Sequence, residues 1–273
     1  MTRHRPRYGT HLMLILVTLL LACPALYAIQ VATLTLEESN DFPPKLFPPS
    51  SDLGSNISEL FNSARRFDRL MINTLTVAIA VVIGKTFFAM LAGLAFVYFQ
   101  FPGKWILFFV ILLTLLMPTE LILVPLSNLV ADLEWIKQGN TRLALSVPFL
   151  ASALGAFLFR QHFSNIPREL VEAAQLDGAG SIRFMFSVLL PMSWNVIGAF
   201  AVIQFISTWH QYAWPIFLGL KGDERLIQQG VRNAVIVGTK TDFGLLMAAG
   251  VISSIPPLLF FLALQKQFMS GFA

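Results

Sequence analysis

Few residues in this sequence carry chemistry, and their spacing rules out most of what they could do. The four histidines, His4, His11, His162 and His210, are scattered, and the single cysteine, Cys23, excludes an intrachain disulfide. No Cys/His cluster has metal-site spacing. No Ser–His or paired-carboxylate set stands in a convincing context, so no catalytic, metal-binding or cofactor-binding residue is assigned. His162 reads as a solvated polar residue. Gly84-Lys85-Thr86 imitates the end of a phosphate-binding loop. That loop needs a preceding strand and another glycine five residues before Gly84, where Ile79 stands. The chain therefore cannot hydrolyse ATP alone. Lys85 and Glu120 are the two ionisable residues deep in long apolar runs. Such charges are costly in lipid and face protein or water.

One polar island has a clear local design: Glu172-Ala173-Ala174-Gln175-Leu176-Asp177-Gly178, closed by Val188-Leu189-Leu190-Pro191. Pro167 suits a first helical turn, where its missing N–H has no partner to lose. Glu169 and Glu172 favour the positive end of that helix. Leu170, Val171 and Ala174 fall on one apolar face. Ala173 and Ala174 are small enough for a partner surface to approach closely. Gly178 supplies a left-handed stop. A second short helix spans about residues 181–190 and ends where Pro191 forbids ordinary continuation.

The elements that hold these residues are membrane helices. The 273 residues are 56% hydrophobic and 12% charged, against roughly 25% charged in soluble domains. That is too little charge to cover a soluble surface. The net charge of +4 suits anionic lipid and gives no reason to expect nucleic acid. Six runs approach the ~20 apolar residues that cross a bilayer. They cover Leu12–Val31, Leu70–Phe96, Ile106–Ala131, Leu143–Phe159, Met192–His210 and Phe243–Leu264. The fold class is all-α: a polytopic membrane protein of six transmembrane helices with a cytoplasmic coupling helix.

Pro148 predicts that the fourth span kinks or begins earlier. Its Ala151, Ser152, Ala153, Gly155 and Ala156 suit close helix packing. Pro118 and Pro125 bend the chain after the third span, and Pro256-Pro257 should break or kink the sixth. Residues 32–69, punctuated by Pro43, Pro44, Pro48 and Pro49, read as an outer loop. Asn56-Ile57-Ser58 is a sequon by pattern only. Arg3, Arg5 and Arg7 argue for a cytoplasmic N-terminus, and six spans return the C-terminus to the same side. Leu20-Leu21-Ala22-Cys23 imitates a lipoprotein cleavage site, but Leu21 fits it poorly, so the first helix is expected to be retained. Counted from the Phe99–Lys104 turn at ~1.5 Å per residue, Lys85 lies ~20 Å and Glu120 ~25 Å above the inner surface. They are expected either to form a buried ion pair or to border a translocation path.

The polar island resembles the coupling loop of carbohydrate-type ABC importer permeases. In that family Glu-Ala-Ala is followed after three residues by Gly, and after nine more by an Ile-x-Leu-Pro-like ending. Gly178 has that offset, Val188 stands for Ile, and Leu190-Pro191 match. Phe159-Arg160-Gln161, Ile166-Pro167-Arg168-Glu169-Leu170 and Asp177-Gly178-Ala179 agree as well. The likeness covers nearly the whole chain, most clearly Leu70 to Gly271. It implies a single transmembrane domain over 1–273, with a first helix and outer loop in 1–69 and a core bundle in 70–273.

The resemblance also implies partners and sites. The expected partners are a second permease subunit as heterodimer, two ATPase subunits that bind the ATP, and an extracytoplasmic solute-binding protein, all at the inner membrane. Arg168, Glu172, Ala173, Ala174, Asp177, Gly178 and Arg183 would meet the ATPase. Trp209, Gln211, Tyr212 and Trp214 resemble the family's pattern before the outer loop that touches the solute-binding protein, with His210 replacing the usual Asn. Trp and Tyr also cluster wherever a span leaves the membrane. Gly219 to Lys240 would form that outer loop, with a turn at Gly222-Asp223. Gly84-Lys85, Leu158-Phe159-Arg160-Gln161, the Trp209–Trp214 run and Ile255-Pro256-Pro257 look most like the glycerol-3-phosphate branch. The expected solute is glycerol-3-phosphate or a glycerophosphodiester, with an oligosaccharide as runner-up. Other classes are an ion-coupled secondary transporter using Lys85 and Glu120, or a membrane scaffold without transport.

Overall fold

The computed structural model describes residues 8–41, 49–62, 65–234, 236–237 and 240–271. Arg3, Arg5, Arg7, Pro43, Pro44 and Pro48 lie outside them. The chain is helical almost throughout, as its apolar runs predict. Among the described residues the only β structure is a two-residue antiparallel pair, β1 (Ile236–Val237) with β2 (Lys240–Thr241). Two compact units divide the chain: residues 1–68 with 230–255, and residues 69–229 with 256–273.

The first unit holds α1 (Tyr8–Val31), α2 (Leu36–Asn40) and α3 (Leu53–Leu60). Helix α1 is apolar on every side and exposed along most of its length, the pattern of a helix whose solvent is lipid. Thr35 and Glu38 close a reciprocal capping box on α2. Asn56, the asparagine of the sequon, is committed to structure: its Nδ2 donates to the carbonyls of Ala32 and Leu34 at 2.9 and 3.0 Å. A side chain at Gly244 would run into the Leu34 carbonyl.

The first unit also takes residues 230–255, and the second carries 69–229 and 256–273. Helix α4 (Phe67–Tyr98) enters it at Arg69 and is followed by α5 (Lys104–Thr114), α6 (Glu120–Asp132) and α7 (Thr141–Ser146). Then come a 3₁₀ turn over Val147–Phe149, α8 (Ala153–Ser164), α9 (Arg168–Leu176) and α10 (Ser181–Phe184). A π segment, Met185–Leu189, joins α10 to α11 (Leu190–Met192). The unit continues with α12 (Trp194–Trp209), α13 (Ala213–Phe217) and the start of α14 (Ile227–Ala234). Helix α15 (Phe243–Gly271) gives its second half to this unit.

Several expected spans change form. Among the described residues, α1, α4 and α15 are each long and apolar enough to cross a membrane unbroken, and two sharply bent helix pairs are apolar and long enough only when each is taken as one span. The fourth span starts at Thr141 and bends by 47° between Phe149 and Ala153, where Ser152 caps the new helix by accepting from Gly155 N at 3.1 Å. In the fifth, α12 leaves Ser181–Met192 at a bend of 80°. The third, expected as one helix over Ile106–Ala131, is split. Helix α5 ends at Thr114, four residues before Pro118, whose missing N–H would have bonded that carbonyl. Each half is too short alone for a ~30 Å hydrocarbon core.

The prolines at 256 and 257 do not break α15, which runs unbroken through them. The second short helix does end beside Pro191, at Met192, where the chain turns by 80° into α12. The π turn before the proline re-registers the ladder, with Leu190 N–H reaching back to Met185 O, and so accommodates the missing donor.

Small residues set the closest approaches in the second unit. A Cβ on Gly93 would lie 2.8 Å from Phe159 Cβ, and one on Gly155 would lie 2.6 Å from Ala89 Cβ and 2.8 Å from the Phe200 ring. The expected small-residue face of the fourth span is therefore where α8 meets α4 and α12.

Candidate functional site

The polar island folds as its residues dictate. Pro167 stands one residue ahead of α9, and its carbonyl takes the N–H of Leu170 at 3.2 Å. Only Glu169 lies in the first turn; Glu172 comes a turn later, beyond the strongest part of the helix-end field. Gly178 adopts φ +71°. The N–H of Ala179 bonds Ala174 O at 2.9 Å, the long bond of a glycine-closed helix end.

Orientation of α9 follows its side chains, with one change from expectation. Ala174 is buried and Val171 half-buried, but Leu170 is exposed. Arg168, Glu172, Ala173, Asp177, Gly178 and Arg183 are all exposed, and so are two large apolar side chains, Leu176 at 89% and Ile182 at 74%. An apolar face left open beside charged residues marks a contact surface.

The island is anchored from beneath. Ala174, Ile166, Phe184, Met185 and Leu189 join a core with Met90 and Leu94 of α4, Phe159 and Phe163 of α8, and Phe200 of α12. Tyr98, the last residue of α4, packs edge-on against Phe184 at 5.3 Å and donates its hydroxyl to Phe163 O at 3.2 Å. Hollows of about 160 and 420 Å³ flank α9, the larger lined by Tyr98, Ile166, Arg168, Val171 and Glu172. One turn before the end of α8, Arg160 lays its guanidinium over Trp105 and Phe108, 4.8 and 4.4 Å from the ring centres. These cation–π contacts tie α8 to α5.

A second site lies at the other end of α4. Arg69 and Asn73 line a polar cleft of about 450 Å³ with Thr141, Arg142, Asp223 and Glu224. Asn73 donates to Asp223 O at 2.6 Å, Thr141 donates to Glu224 Oε1 at 2.9 Å, and Arg69 approaches Asp223 at 3.8 Å. Gly222 takes φ +55° there, at the turn expected from Gly222-Asp223. Asn73 and Tyr98 are ~38 Å apart along α4 at ~1.5 Å per residue, more than the ~30 Å hydrocarbon core. The cleft and the α9 island therefore face opposite sides of the membrane.

Lys85 and Glu120 do not meet. Glu120 is exposed at the first turn of α6, beyond the break at Pro118. Lys85 instead donates to Gln204 Oε1 at 2.7 Å, and among the described residues it makes no ion pair. A lysine at the centre of a span costs roughly 2.5–3.5 kcal/mol on insertion scales. Gln204, which sequence reasoning passed over, had one visible signal: it is an amide set in the apolar run Val202-Ile203-Gln204-Phe205.

The two expected tryptophan contacts are also corrected. Trp209 and Trp214 are 1% and 0% exposed. Trp209 stacks on Phe205 at 5.6 Å, while Trp214 packs on Phe149 and donates Nε1 to Ala144 O at 3.1 Å. These indoles are core, offering no surface to a partner. Gln211 and Tyr212 beside them remain half-exposed.

The chain is a set of long apolar helices with a polar cleft near one end of α4 and the α9 island at the other. It belongs to the family of binding-protein-dependent transport system inner membrane components, whose model matches residues 85–272. It is 35% identical over 268 residues to the sn-glycerol-3-phosphate transport system permease protein UgpE of Yersinia pestis bv. Antiqua, covering 96% of this chain and 94% of that one. It is 36% identical over 282 residues to the protein of the same name from Agrobacterium fabrum, covering 99% and 98%. Its fold matches a chain in the crystal structure of a bacterial ABC transporter involved in the import of the acidic polysaccharide alginate. That match has a TM-score of 0.78 and 20% identity, over 97% of this chain and 98% of the other. The chain is thus a multi-pass inner-membrane permease subunit of an ABC importer. It is non-catalytic and works with a partner permease, an ATPase and a solute-binding protein. Membership of this family displaces the ion-coupled and scaffold readings.

Proposed function

We propose that this subunit helps import a glycerol phosphate, with sn-glycerol-3-phosphate as the first candidate and a glycerophosphodiester or an oligosaccharide behind it. The two curated relatives bear that solute in their names, and an uncompensated Lys85 suits an anion better than a neutral sugar. The chain pairs with a different permease chain, and two ATPase subunits bind the ATP. Both termini lie on the cytoplasmic side. The whole chain acts as one transmembrane domain.

The ATPase docks on α9 and the turn after it. The carrying observation is the geometry of that segment: a glycine-closed helix, seated on the core through Ala174, with Glu172, Ala173, Leu176 and Ile182 open. Arg168, Asp177 and Arg183 rim the contact. The solute-binding protein meets the opposite face, at the polar cleft bounded by Arg142 and Glu224 and the adjoining Gln211 and Tyr212, rather than through the buried indoles.

Uptake of labelled sn-glycerol-3-phosphate into vesicles containing all the subunits tests this reading. Uptake should require ATP and the solute-binding protein and should survive collapse of ion gradients. ATP-independent uptake, or ATP-driven uptake of a neutral sugar but no phosphate ester, would overturn the mechanism or the solute respectively.

A further inference from the structure

Lys85 stands ~27 Å along α4 from Phe67 and ~20 Å from Tyr98 at ~1.5 Å per residue, so it is inside the hydrocarbon thickness at any reasonable register. Its ammonium has three protons to donate. One goes to Gln204 Oε1 at 2.7 Å. That acceptor is neutral, so the charge is held in place but not balanced. Gln204 is itself buried, at 5% exposure, on α12. Lys85 is only half-buried, so part of its side chain is open to the outside of this chain within the hydrocarbon thickness. Lipid is the one neighbour that position does not tolerate. What faces it is either protein or an aqueous path.

We propose that Lys85, aimed by Gln204, is the anion-recognising station of the translocation path, where a phosphate group of the passing solute exchanges water for the ammonium. The proposal rests on the phosphate-ester reading above. A lysine suits such a station because it is a compact point charge and does not clamp a phosphate in a two-pronged grip. A transport site must hold its cargo well enough to admit it and loosely enough to release it. Gln204 fixes the amine without neutralising it, as a carboxylate at that position would.

The test uses the full complex, with both permeases, the ATPase and the solute-binding protein, in proteoliposomes. Transport is read as solute imported per ATP hydrolysed. Lys85→Gln should lower this ratio for sn-glycerol-3-phosphate at least tenfold, and Lys85→Arg should keep about half of it. Gln204→Glu preserves shape but holds the amine in an ion pair, so it should lower the ratio as Lys85→Gln does, with ATPase activity stimulated by the binding protein within about twofold of wild type. Inorganic phosphate and glycerol serve as the two control solutes. Competition by phosphate but not glycerol would assign the station to the phosphate group itself.

A wild-type ratio in Gln204→Glu or Lys85→Gln would overturn the proposal. So would failure of Gln204→Glu to assemble, which would give the pair a packing role. A wild-type complex that imports no phosphate ester would instead refute the solute reading, and the two failures are told apart by the wild-type measurement alone.

Discussion

Gly178 offers the sharpest quantitative test of the docking segment. Its φ of +71° is one that L side chains rarely adopt, and a Cβ there would meet nothing within 4 Å. Substitution therefore carries a conformational cost and no steric one. An alanine in the left-handed region costs about 1–2 kcal/mol, which lowers the population of the observed stop by about 5- to 30-fold relative to competing turns. Asparagine, which visits this region more readily, should cost less, and valine should cost more because a branched Cβ makes it an outlier there. The assay is binding-protein-dependent uptake per ATP in proteoliposomes, beside a measure of membrane insertion and of copurification with the ATPase. Coupling should fall in the order Gly, Asn, Ala, Val while insertion stays constant, because the residue is exposed. Normal coupling in Gly178→Val would refute the reasoning. So would a loss of insertion that tracks the loss of coupling.

Other positions separate docking from packing. Leu176→Glu with Ile182→Glu alters two side chains that are 89% and 74% exposed; copurification with the ATPase should fall at least tenfold, with thermal stability of the detergent-solubilised permease pair unchanged. Trp214→Ala removes a fully buried indole and its bond to Ala144 O, and should cost about 3–5 kcal/mol, seen as less assembled complex and not as weaker binding-protein affinity in what remains. Gly155→Leu drives a side chain into Ala89 and Phe200 and should cost at least ~1–3 kcal/mol by overpacking, read as loss of assembled permease, with Gly155→Ala milder.

Much of this was legible in the chain because the signals were local. The left-handed stop at Gly178, the earlier start and bend of the fourth span around Pro148, and the turn at Gly222-Asp223 each depend on residues within a few positions. What sequence reasoning misplaced depended on tertiary packing. Pro256-Pro257 read as a break or a kink, yet α15 continues helical through them. Trp209 and Trp214 matched an interface pattern that does not distinguish a rim from a core. The ion-pair reading of Lys85 and Glu120 came from counting along helices assumed straight, whereas Lys85 bonds Gln204 of α12 and Glu120 is exposed. Gln204 was passed over because an isolated amide carries no period.

Helix α4 links the separate features mechanically. Its last residue, Tyr98, sits under the α9 island through Phe184 and Phe163, its middle presents Lys85 to Gln204 of α12, and near its start Asn73 holds the Asp223 carbonyl in the polar cleft. It is one uninterrupted helix with no proline, and so lacks the commonest cause of a sharp kink. Close-packed interiors transmit displacement and do not absorb it, and Gly93 and Gly155 leave no slack where α8 crosses α4. A push on α9 from an ATPase must therefore either move the end of α4 or open the Tyr98–Phe184 contact. The second outcome would leave Lys85 where it is. Tyr98→Ala should thus uncouple hydrolysis from transport even though it touches neither solute nor ATPase. Tyr98→Phe, which keeps the ring against Phe184 and loses one hydrogen bond of about 1 kcal/mol, should retain most of the coupling. Equal behaviour of the two variants in the uptake-per-ATP assay would place the transmission elsewhere in the bundle.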